Sequence, residues 1–279
     1  TLFPYTTLFR SLNNKVSFKT AGWERCSAPW IFDEPSNTQD FWALRRFGLE
    51  FWKGAGTQPG LHLAHRADIS RPQWQRDLLD GVVNAEIVSS ALRTYGASVR
   101  DRAQRFGNLV YMYGTSNALG THSVSNAAWC VEAWALGADG VVPWQTIGKA
   151  DALQKPDDLA LFYPTPTGPL PSLRLKTFRA GQQLVEYLTL YTALSGESRA
   201  SVSAAVLAEP GMRPVTIKKN EDDAGKASFT PETHPTLTTL RHRLGHWLNA
   251  KSPAPRDRWH DPRPKPHAPE AVKVIETVK

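Results

Sequence analysis

The sequence predicts an α/β fold: an incomplete (β/α)8 barrel of the TIM type, carrying about its last five βα units. Three observations lead there. Strand-like apolar runs alternate with helix-like stretches between residues 26 and 197. Polar and aromatic residues gather just after the strands, where parallel α/β folds build their sites. Hydrophobic residues make up 41% and charged residues 21%, which is ordinary globular usage and excludes a disordered or collagen-like chain.

The elements follow in order. Cys26–Phe32 is short, apolar and aromatic, and runs into Asp33-Glu34-Pro35. Asn37 or Thr38 can cap a helix reaching Gly54, with Phe41, Leu44, Phe47, Phe51 and Trp52 on helical spacing. Glycines and Pro59 in Gly54–Gly60 stop it. Leu61–Ala64 is a strand leading to Asp68, Pro72–Leu79 a short helix, and Val82–Val88 a strand. An Arg-rich helix over 92–106 precedes the strand Leu109–Tyr113. The helix Ser125–Leu136 ends at Gly137, and the strand Val141–Trp144 follows. A loop rich in proline and glycine (164–171) leads to the helix Leu173–Leu194. Residues 12–212 form the barrel part, 213–235 read as a linker and 236–250 as an amphipathic helix. Six prolines make 251–279 a disordered tail.

The net charge of +7 is not spread over the chain. Residues 213–279 hold 13 of the 33 basic and 8 of the 26 acidic side chains, so the main body is close to neutral. Its basicity is therefore no sign of a nucleic-acid partner. No apolar run approaches the ~20 residues of a membrane helix. Cys26 and Cys130 give neither a disulfide framework nor a metal spacing, and the eight histidines are scattered, so no metal and no cofactor are expected. Nothing identifies a compartment.

Residues 1–11, TLFPYTTLFRS, back-translate to a sequence that looks like a common sequencing-adaptor oligonucleotide. Thr1–Ser11 is read as an assembly artefact and set aside. The natural N-terminus and the first three barrel strands are then expected to lie outside this sequence. Such a fragment is expected to be inactive and poorly stable, because an open barrel exposes its core.

Phe32-Asp33-Glu34-Pro35 carries the sharpest chemistry. A Glu at a strand tip can act as a general acid, and an ionised Asp beside it can stabilise a developing cation. Alternatively, the pair is a solvated turn or caps the next helix. Most glycosidases need a second, separate carboxylate, yet the later strand tips end in Tyr113 and Trp144. Two routes remain. A two-carboxylate mechanism would draw on the missing strands or on Glu86. A substrate-assisted mechanism lets a 2-acetamido group supply the nucleophile, and an adjacent Asp-Glu pair suits it. Tyr111, Tyr113 and Trp144 can stack on sugar C–H faces. Trp42, Trp52, Trp129 and Trp134 lie within helices and read as core. Asp68 is a site residue or a helix cap, and Asp139 reads as part of a turn.

Three stretches, Trp30–Ser36 (WIFDEPS), 126–148 (NAAWCVEAWALGADGVVPWQTIG) and 172–188 (SLRLKTFRAGQQLVEYL), resemble the catalytic region of glycoside hydrolase family 123 and its relatives of domain of unknown function 4091. The resemblance spans about residues 22–198. It implies a barrel preceded by a β-sandwich, and an exo-acting, retaining β-N-acetylgalactosaminidase working by substrate assistance. Asp33 would orient the acetamido group and Glu34 would be the general acid/base. Tyr111, Tyr113 and Trp144 would line the pocket, while Arg174 and Arg179 would be structural. The implied partner is a glycan with a terminal 2-acetamido sugar. The rival expectation is a carbohydrate-binding or structural relative in which the pair is not catalytic.

Overall fold

The computed structural model describes residues 34–55, 65–69, 72–155, 159–216 and 227–251. The expected strand Cys26–Phe32, Asp33, Leu61–Ala64, the adaptor-like start and the proline-rich tail lie outside them. The framework is a four-stranded parallel sheet, β1 (Arg66–Asp68), β2 (Ala85–Val88), β3 (Leu109–Gly114) and β4 (Gly140–Pro143), in that spatial order. α1 (Thr38–Ala55) precedes it, and α2 (Pro72–Gln75), α3 (Leu92–Phe106) and α4 (Val124–Ala135) join the strands. Sequential parallel strands joined by helices, with crossovers of one hand, place the joining helices on one face of the sheet.

The register defines these two faces. Glu86 pairs with Val110, and Met112 with Val141. Val88, Val110 and Met112 are at most 2% exposed, which makes this the helix side. Asp68, Ile87, Tyr111 and Gly140 form one layer across the opposite side. Alternation along β3 and β4 puts Tyr113 and Trp144 on that side too.

α4 is the central helix, with Trp129, Val131 and Ala133 almost fully buried. α5 (Leu173–Ser195) crosses it closely at Gly181, where a Cβ would sit 2.8 Å from Ala127 Cα. Only glycine fits such an approach without a shift. Ser172 caps α5 and Ser198 caps α6 (Arg199–Ala208), each side chain accepting a backbone N–H. α7 (Thr233–Lys251) buries Leu237, Leu240 and Leu244 against the same core.

Two expected loops are structured. Residues 162–171 form a hairpin, β5 (Phe162–Thr165) with β6 (Gly168–Pro171), rather than a loop. Pro164, Pro169 and Pro171 all fall in alternate pairs of that ladder. Those positions exchange no N–H, so proline costs nothing there. The expected linker 213–235 contains β7 (Val215–Thr216) paired with β8 (Ala227–Ser228), and helix α7 starts within it. Ala227 donates to Thr115 O at 2.7 Å, and the Phe229 amide donates to Ser125 Oγ at 3.1 Å. Phe229 is 1% exposed, and burying its ring draws the segment back onto the core.

Candidate functional site

The open side of the sheet gathers four of the five sequence-predicted residues that the structure describes. Tyr111 and Tyr113 project from β3, and Trp144 follows β4. Tyr113 and Trp144 meet edge to face, with ring centroids 5.9 Å apart. Trp144 is 56% exposed, so its indole face is available to a ligand. Below it, the Tyr111 ring lies over Gly140, where an added Cβ would come within 3.1 Å of the ring. Asp68 shares the Tyr111 layer but is buried, 7% exposed, at the end of β1.

Glu34, the fifth, comes from the segment before α1. It is exposed, with φ of 40°, a left-handed backbone that a non-glycine residue adopts only under local constraint. The turn that follows is closed by its own hydrogen bonds. The Ser36 amide, Ser36 hydroxyl and Asn37 amide group all donate to the Asp40 carboxylate at 2.9–3.3 Å, and Asp40 N donates back to Asn37 Oδ1. The start of α1 is thereby closed into a tight cap. The Tyr113 hydroxyl donates to Glu34 Oε1 across a long 3.4 Å contact. A carboxylate, a phenol and an indole thus converge at the C-terminal end of the sheet, where a sugar could lie.

The loop after β3 is held from behind by a polar network that sequence reasoning missed. The Ser116 hydroxyl donates to Asn126 Oδ1 at 2.9 Å, and the Asn126 amide donates to Thr177 Oγ1 at 2.7 Å. Arg174 donates to Asn117 O at 2.6 Å and to the Tyr163 hydroxyl at 2.8 Å. Arg174 thus ties the start of α5 to the loop after β3 and to β5. Residues 115–117 follow the end of β3, so the network fixes the loop next to Tyr113.

Several alternatives are removed. Glu86 does not reach the open side: it is 2% exposed on the helix face. It takes two hydrogen bonds from Arg102, at 2.5 and 2.7 Å, and one from Asn108 at 2.7 Å. A carboxylate so occupied cannot serve as the second carboxylate of a hydrolase. Asp139 accepts from Val110 N at 2.8 Å and is a turn residue, as expected. Trp42 is not core but 57% exposed, whereas Trp129 and Trp134 are core. Burial pushes the Cys130 thiol up to about 12, so it is no nucleophile. Among the described residues, no three His, Cys, Asp or Glu side chains are grouped to hold a metal. None of the described helices is long and apolar enough to cross a membrane.

No family model matches the chain. No curated protein sequence matches it either. Among solved structures, it resembles one reported under the words "The details of glycolipid glycan hydrolysis by the structural analysis of a family 123 glycoside hydrolase from Clostridium perfringens". The TM-score is 0.53 at 11% sequence identity, over 86% of this chain and 43% of that one. The chain thus spans less than half the length of that enzyme, and the likeness is one of fold: alternating β/α units around a parallel sheet.

Proposed function

We propose that the chain is the C-terminal part of a retaining β-N-acetylgalactosaminidase that acts on terminal sugars by substrate assistance. The observation that carries this reading is the convergence of Glu34, Tyr113 and Trp144 at the C-terminal end of a sheet whose fold resembles a family 123 glycoside hydrolase. The terminal sugar lies against the Trp144 and Tyr113 rings. Glu34 protonates the glycosidic oxygen as the bond to the anomeric carbon breaks. The 2-acetamido oxygen attacks that carbon from the opposite face, forming a cyclic oxazolinium, while Asp33 orients the amide and balances its charge. Glu34, now ionised, takes a proton from water as the water opens the ring. Two displacements give net retention.

The decisive test uses the full-length protein and an aryl β-N-acetylgalactosaminide. Glu34→Gln should lower kcat about 10²–10⁴-fold while ligand binding persists. Unchanged turnover, or an inverted product, would falsify the reading. The exposure of Glu34 and the 3.4 Å length of its contact with Tyr113 favour a second reading, a glycan-binding relative without catalysis. That reading predicts glycan binding unaffected by Glu34→Gln, with no turnover in either protein.

A further inference from the structure

A second concavity lies outside the sheet. A groove of about 520 Å³ runs between α5 and α7, lined by Tyr187 from α5 and by Arg241, His242, Gly245, His246 and Asn249 from α7. His242 and His246 are one helical turn apart, so both imidazoles face the same side. Every polar side chain along the groove can donate a hydrogen bond, and none is a carboxylate. Arg241 gives the groove a positive charge, which favours an anion.

Gly245 supplies the second argument. Glycine inside a helix is unfavourable relative to alanine and calls for a reason. Packing gives none. A Cβ at Gly245 would meet only Tyr187 Cε2, at an ordinary 3.8 Å. What the missing methyl preserves is open space beside the Tyr187 ring. An aromatic ring with open space beside it, next to a guanidinium and two imidazoles, matches a pyranose ring that carries a negative charge.

We propose that this groove binds an acidic sugar. Its ring lies on Tyr187, and its carboxylate or sulfate is held by Arg241 with His242 and His246. The site is separate from the one at Glu34, and its probes carry no 2-acetamido group, so neither result depends on the other. The full chain is titrated with D-glucuronate, glucose 6-sulfate, glucose and acetate, following the His242 and His246 imidazole resonances by NMR. The sulfate and carboxylate arms identify the preferred anionic group. At least one acidic sugar should shift both resonances, with glucose and acetate about five-fold weaker or more. Arg241→Ala should weaken binding about ten-fold. Gly245→Leu should abolish it with an unchanged circular dichroism spectrum. Gly245→Ala should raise Tm by about 2–4 °C while weakening binding. Acetate binding as tightly as the acidic sugars would remove the ring from the proposal, and glucose doing so would remove the charge. Binding unaffected by Arg241→Ala, an exposed position that the fold does not need, would overturn it outright.

Discussion

The two sides of the sheet use carboxylates in opposite ways. On the helix side, Glu86 is buried and accepts three hydrogen bonds from Arg102 and Asn108, and Glu132 of α4 is held by Arg93 at 2.6 and 2.8 Å. On the open side, Glu34 is exposed and makes one long contact with Tyr113. A buried charge is tolerable only when it is paired and hydrogen-bonded, and such a group has little capacity left for a substrate. An exposed carboxylate contributes little to the fold and remains available for chemistry. The lesson is that proximity to a strand end identifies a candidate acid less well than the number of its unused hydrogen-bonding positions.

The strongest way to break this contrast is to remove one partner on the helix side. Arg102→Ala should destabilise the chain by about 3–5 kcal/mol in urea unfolding, because Glu86 would be left buried and uncompensated. A loss below about 1 kcal/mol would mean that the pair is not what holds α3 to the sheet.

A smaller effect should come from His65, a buried base at the foot of β1. It is fully buried, stacked on Phe51 at 5.2 Å, with Nδ1–H donating to Val82 O at 3.0 Å and Nε2 without a partner. Burial, partly offset by that hydrogen bond, holds its imidazole below the ordinary range. The unfolded chain therefore takes up this proton at higher pH than the folded one. The His65 contribution is complete above about pH 6.5 and is lost as pH falls toward the folded value. Stability measured by urea unfolding should drop between pH 7 and 5, and His65→Phe should flatten that slope. A slope unchanged in the variant would assign the dependence to other groups.

The smallest effect on stability belongs to the open side. Trp144→Ala should change stability by no more than about 0.5 kcal/mol, as for most exposed positions. It should nevertheless weaken glycan binding about ten-fold, read by calorimetry with N-acetylgalactosamine. A large loss of stability would show that Trp144 is a packing residue, and the two sides would then be alike.

Much of this organisation was legible. The helix 92–106 matches α3, and 109–113 and 141–144 match β3 and β4 to within a residue at each end, because apolar periodicity and the breaker glycines agree there. The 162–171 hairpin was hidden because three prolines imitate a loop unless the pairing parity is known. The 227–229 contacts were hidden because Phe229 finds its partners more than a hundred residues back. Within the site, Tyr113 and Trp144 could be read from their strand-end positions. The fate of Glu86 could not, since a strand's alternation does not say which face the helices cover.

The link between Ser125 and Phe229, with that between Thr115 and Ala227, also orders events in time. Each βα unit of the sheet can close soon after it leaves the ribosome, since its contacts are near neighbours in the chain. The loop that follows Tyr113 gains the Thr115–Ala227 hydrogen bond only after residues 227–229 have been made and have docked. The sheet can be finished early, and the loop beside the candidate site is tied down among the last.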